Sequence, residues 1–193
     1  MKNADNLPTI SFETRQDWEV WLKERHADTK GLWLKIAKKG TSIPSLSYAE
    51  ALEVALCYGW IDGQKASFDD QYWLQKFTPR GSKSIWSKVN CDKVMALLAE
   101  GRMQPAGIQQ VERAQADGRW EAAYESQSKI TIPADLQSEL DKNQQAQEFF
   151  NTLNSVNRYA ILFRIQTAKR PETRSARIQK FIEMLAQRQK IHP

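Results

Sequence analysis

Two aromatic-rich runs, Trp60 to Phe68 and Gln71 to Thr78, stand only two residues apart, and this spacing constrains the fold more than any other feature of the chain. A connection that short joins antiparallel neighbours, so the pair predicts a β-hairpin turned at Asp69 and Asp70. Asp-Asp is a poorer two-residue turn than Asp-Gly, because a glycine takes positive φ without strain. A further short strand is predicted between Gly31 and Gly40, where Leu32, Leu34 and Ile36 alternate with Trp33 and Lys35.

Helices account for the rest. Trp18, Trp21 and Leu22 share one face of a predicted helix over Thr14 to His26. Ser47 and Glu50, three apart before Ala51, Leu52, Ala55 and Leu56, form a capping-box pattern, and Gly59 supplies the stop. After Pro79 the pattern is helical almost to the end. Asn90 is expected to cap a helix reaching Glu100, Pro105 to open one reaching Asp117, and Pro133 to precede Ala134 to Leu140. Val156 to Ala168 is apolar nearly all round and predicts a buried central helix. Over Glu172 to Gln189, Ile178, Phe181, Ile182 and Leu185 form one face, with Arg170, Arg174, Arg177 and Arg188 roughly opposed. The expected fold class is α+β, predominantly α: a small β-sheet with a hairpin in the N-terminal half and a helical C-terminal half. Residues 1–193 read as a single domain, within which 1–100 is a mixed lobe and 101–193 a helical one.

Composition removes several function classes. With 41% hydrophobic and 26% charged residues the chain is ordinary globular material. No apolar run, Tyr159 to Phe163 among them, approaches the roughly 20 residues that cross a bilayer, so no membrane insertion is expected. Met1 to Phe12 has no apolar core of a secretory signal, which gives a cytoplasmic expectation. Cys57 and Cys91 make neither a disulfide framework nor a zinc site; reduced thiols, no metal and no cofactor are expected. His26 and His192, the two histidines, read as surface residues, so most hydrolytic machinery lacks its general base. Gly81-Ser82-Lys83-Ser84 imitates the end of a phosphate-binding loop, but Lys76 stands where its first glycine belongs.

Net charge is +5, and its placement matters more than its size: residues from Asn154 onward carry nine basic and two acidic side chains. Lys76, Arg80, Lys83 and Lys88 form a second cluster without an acid among them. Both suit anionic partners.

Two dense stretches remain, Leu56 to Gly63 and Phe77 to Asn90. The hairpin brings Asp62 and Arg80 to one end of the sheet. They read either as a structural ion pair or as part of a cluster of arginine and hydroxyl groups aimed at an anion. The candidate ligand-binding residues are Trp60, Asp62, Thr78, Arg80, Ser82, Ser84, Trp86 and Asn90. Trp60, Trp73 and Trp86 read first as packing and second as walls of such a pocket. Cys57, inside a helix, reads as a small buried hydrophobe. Lys83, Lys88, Arg170, Arg174 and Arg177 are the candidate basic surface.

LSYAEALEVALCYGWIDGQ, FTPRGSKSIWSKVN, EGRMQPAGIQQVERAQADGRWEAAY and AKRPETRSARI, in that order along nearly the whole chain, resemble the YdeI/OmpD-associated family, also called bacteriocin-protection proteins. The resemblance implies a bacterial protein linked to stress or bacteriocin tolerance. It brings no reaction, cofactor or catalytic residue. Three functions compete: binding of a small anionic ligand, nucleic-acid binding through the C-terminal arginine stripe, and protein–protein interaction. The first leads, because the polar residues concentrate in two segments that the hairpin joins; a nucleic-acid binder would carry more charge than +5.

Overall fold

The computed structural model describes residues 6–193. It is α+β and predominantly helical, as expected, and divides into two compact units: residues 1–85 with 90–121, and residues 86–89 with 122–193.

The first unit is built on a sheet of β1 (Thr9–Ser11), β2 (Leu32–Ala37), β3 (Trp60–Ser67) and β4 (Tyr72–Pro79), in the order β1-β2-β4-β3. The hairpin and the Leu32 strand are where the sequence places them. β1 was not anticipated, since three residues carry too little alternation to register; it pairs in parallel with β2, Ile10 opposite Leu34. The hairpin is closed by residues 68–71, not by a two-residue turn. The Asp69 carboxylate accepts from the amides of Gln71 (2.9 Å) and Tyr72 (2.7 Å), an Asx arrangement that satisfies the turn without glycine. β3 bulges between Asp62 and Lys65, and buried Gln75 of β4 donates its amide to the bulge carbonyls of Gly63 (2.9 Å) and Gln64 (3.3 Å).

α1 (Arg15–Arg25) and α2 (Tyr48–Cys57) each begin in a capping box, Thr14 with Asp17 and Ser47 with Glu50. The Ser47 hydroxyl and amide hold the Glu50 carboxyl below its usual range. Gly59, at φ +74°, releases the chain from α2 into β3. Trp18 and Trp21 stack at 5.4 Å, and both meet Trp60 edge-on. Trp18 also packs on Phe77 of β4. Burial of Phe77, or of Leu52 and Leu56 of α2, contributes about 1.5–3 kcal/mol each.

α3 (Lys88–Ala99) and α4 (Pro105–Ala116) follow. α3 starts two residues before the expected cap, so Asn90 is a buried member of its first turn and not the cap. The reason lies just upstream: Ser87 bridges to Tyr124, and the amide of Lys88 donates to the Tyr124 carbonyl.

In the second unit, α5 (Ala134–Asp141), α6 (Gln144–Thr152), α7 (Ser155–Gln166) and α8 (Pro171–Ala186) enclose a core that includes Leu136, Phe150, Ile161, Ile165, Ile178, Phe181 and Leu185. The predicted apolar face of α8 is buried. α7 is not buried all round: Ile161, Leu162 and Ile165 face the core, whereas Val156 is 54% exposed. Buried Asn157 holds the chain after α8, its Oδ1 accepting from the amides of Ile191 (3.1 Å) and His192 (2.9 Å). Among the described residues no helix is long and apolar enough to cross a membrane.

Candidate functional site

At one end of the hairpin, Trp60 pairs with Pro79, Ile61 with Thr78 and Asp62 with Phe77. Alternation therefore puts Asp62 on the face of Phe77 and Pro79, and Arg80 on the other. The two share the end of the sheet but form no ion pair: the Asp62 carboxylate accepts from the Tyr48 hydroxyl at 2.9 Å. This removes the ion-pair alternative of the two readings, in keeping with the one-residue difference in parity.

Arg80 is 5% exposed, and its Nη1 donates to the Ile85 carbonyl. Arg119, which the sequence did not single out, is equally buried. Its Nε donates to both oxygens of Asp117 at 2.8 Å, and its Nη1 donates to the Ser84 carbonyl at 2.9 Å. The Gly81 amide donates to Ser84 Oγ, and the Ser84 amide donates to the Gly81 carbonyl. Two guanidinium groups thus grip neighbouring carbonyls of one short loop, with exposed Ser82 and Lys83 at its tip. The only foreshadowing of Arg119 is its place directly after Gly118, a helix-stop signal that predicts a turn and not a partner.

The remaining candidates scatter. Trp60 is a core residue, Thr78 is half-buried on β4, and Asn90 is buried in α3. Trp86 and Lys88 belong to the second unit, where Trp86 is buried and Lys88 pairs with Glu125. Trp73 stands at the opposite end of the hairpin from Trp60, opposite Ser67. Of the C-terminal basic residues, Arg170 is exposed just before α8. Arg174 binds both oxygens of Asp135 and donates to the Ile165 carbonyl, and its hydrogen bond holds the Asp135 carboxyl below the usual range. Arg177 donates to the Arg164 carbonyl. Much of the stripe is therefore turned inward onto its own unit.

The loop end of the hairpin has a different character. The Lys38 amide donates to the Gln71 carbonyl at 2.7 Å, which pins the chain leaving β2 beside the hairpin loop. Trp73 of β4 lies between Ile36 of β2 and Ser67 of β3. On the same face, nearer Trp60, the sheet is filled by the Trp18, Trp60 and Phe77 cluster. Towards the loop it carries instead an open groove of about 700 Å³, lined by Lys38, Lys39, Lys65, Ala66, Ser67 and Trp73. Lys65 Nζ sits 4.3 Å from the centroid of Trp73, and the Tyr48 ring lies 6.1 Å from it. Among the described residues no carboxylate lines this groove. Lys38 and Lys39 are visible in the sequence as the basic pair after the strand, but Lys65 joins them only through strand register.

Burial pushes the Cys57 thiol up to about 11, so it carries no thiolate at neutral pH. Among the described residues no group of three or more His, Cys, Asp and Glu side chains is placed to hold a metal ion.

Sheet, capped helices and basic groove describe an α+β protein with a candidate site for anions. Residues 10–110, just over half the chain, match the family model described as Domain of unknown function (DUF8412), and the chain belongs to that family. Residues 129–188 match the model described as Bacteriocin-protection, YdeI or OmpD-Associated, which bears out the resemblance drawn from the motifs. The first two motifs quoted for that resemblance fall under the other model. No curated protein and no solved structure is significantly similar to the chain.

Proposed function

We propose that this protein acts by binding a small anionic ligand, and that the ligand occupies the groove around Trp73. One observation carries the reading: Lys38, Lys39 and Lys65 line one concave surface that, among the described residues, no carboxylate lines. Ammonium groups gathered in a concavity with low-dielectric walls focus their field on an entering anion. The groove also falls within the roughly 300–1,000 Å³ typical of small-molecule sites. This moves the ligand away from the Gly81 to Ile85 loop, where Arg80 and Arg119 are buried against backbone carbonyls. Nucleic-acid binding through the C-terminal arginines has less support, because Arg174 and Arg177 are engaged within their own unit. Cytoplasmic residence and a part in stress or bacteriocin tolerance belong to the same proposal; the family description supports the bacteriocin part.

The test is a thermal-shift titration with phosphate, pyrophosphate and tripolyphosphate at two salt concentrations. Stabilisation that grows with ligand charge, falls with salt and disappears in the Lys38→Gln, Lys39→Gln, Lys65→Gln triple variant is expected. Equal shifts in the triple variant would place the anion elsewhere.

A further inference from the structure

We infer that the ligand of the Trp73 groove is a nucleotide, a phosphate ester carrying a planar base. This rests on the reading of the groove as an anion site and adds its ligand class.

A groove for a simple inorganic anion needs cations and hydrogen-bond donors, not a large aromatic ring. Trp73 is half-buried, with the groove on one side, although a tryptophan gains most from complete burial. It stands apart from the Trp60 end of the hairpin, where indole rings pack against one another. Lys65 lies over its ring at 4.3 Å, so the π face and the charge are already juxtaposed. A nucleotide asks for this combination: a stacking surface for the base, ammonium groups for the phosphates, and a hydroxyl such as that of Ser67 within the same lining.

The pattern repeats on the other face of the same sheet end. There Lys35 Nζ lies 3.9 Å from the Tyr72 ring and 4.6 Å from the Phe68 ring, and Phe68 is 49% exposed. The nearby acids Asp62, Asp69 and Asp70 are not among the residues that line the groove. Asp62 is bonded by Tyr48, Asp69 is turned into the hairpin loop, and Asp70 is exposed at the tip of that loop.

The experiment compares adenosine triphosphate with tripolyphosphate at equal ionic strength by calorimetric titration. A base that stacks makes the nucleotide bind about tenfold more tightly. Trp73→Ala should remove that advantage while leaving tripolyphosphate binding in place. Trp73→Phe should keep part of it, and guards against a fold that does not tolerate alanine. Lys65→Gln should weaken both ligands. Equal affinity of wild type for the two compounds overturns the nucleotide assignment and leaves the anion site standing. Failure of both compounds to bind overturns the anion site itself. A short thymidine oligonucleotide separates the two sources of nucleotide chemistry: affinity well above that for the triphosphate, with a steep salt dependence, assigns a single strand, and affinity no higher assigns the free nucleotide.

Discussion

Gly107 of α4 lies so close to Cys57 at the end of α2 that a Cβ on it would stand 2.2 Å from the Cys57 carbonyl oxygen and 2.8 Å from the carbonyl carbon. That oxygen also accepts from the amide of Gln104, the residue before α4, so the start of one helix closes the end of the other. Backbone cannot swing aside as a flexible side chain can. Gly107→Ala should therefore lower stability by about 3 kcal/mol even though alanine favours helix. Gly63→Ala, whose Cβ would meet Lys76 side-chain atoms at an ordinary 3.7–3.8 Å, is the control and should cost less. Chemical denaturation of both variants decides; equal midpoints would mean that the two helices do not depend on this approach.

The Cys57 thiol, pushed up to about 11 by burial, makes stability depend on alkaline pH. In the unfolded chain a thiol ionises near 8.5. The contribution is fully present below that value and is lost as pH rises towards 11, because in that window the unfolded state has already released the proton. A loss of about 3 kcal/mol is expected across the window, and Cys57→Ala should lack that component. Alkylation at neutral pH should be slow in the native protein for the same reason, and Cys91 is buried as well. Fast labelling of the folded protein would contradict the burial of both thiols.

Arg119 joins Asp117 to the Ser84 carbonyl, and Arg80 reaches the Ile85 carbonyl. Arg119→Ala leaves the Ser84 carbonyl without its charged donor and breaks the Asp117 pair, so a loss of about 1–3 kcal/mol is expected without any ligand present. Lysine should restore little, since one ammonium does not span both partners as the guanidinium fork does. Lys83 is exposed at the tip of the braced loop and reports its order. Trypsin should cut after Lys83 faster in Arg119→Ala and in Arg80→Ala than in wild type. Unchanged melting and unchanged cleavage would mean that the loop holds its shape without the arginines.

The elements legible in the sequence are those whose signals are local. The Ser47 and Glu50 capping box, the stop at Gly59 and the apolar face of α8 each depend on residues within about one or two helical turns, and each forms as expected. The hairpin was legible for the same reason. What failed depends on distant chain. Asn90 was displaced from its cap by the bridge between Ser87 and Tyr124, and β1 exists only because β2 offers an edge. The ion-pair alternative for Asp62 and Arg80 fails on strand parity, which adjacency at a sheet end does not reveal. Arg119 and the convergence of Lys65 on Lys38 and Lys39 follow from tertiary placement and were beyond local pattern.

The bulge in β3 has a consequence for the protein's behaviour in concentrated solution. β3 and β1 are the outer strands of the sheet, and each could serve as a template for a strand from another molecule. β1 is only three residues long, and β3 is broken by its bulge, with two of the bulge carbonyls already taken by Gln75 and a lysine at residue 65 immediately beyond. A foreign strand approaching β3 finds an irregular ladder and a positive charge, so the sheet stops at four strands. The lysine that lines the groove thereby also guards the edge against edge-to-edge aggregation, and neutralising it removes a gatekeeper together with a cation.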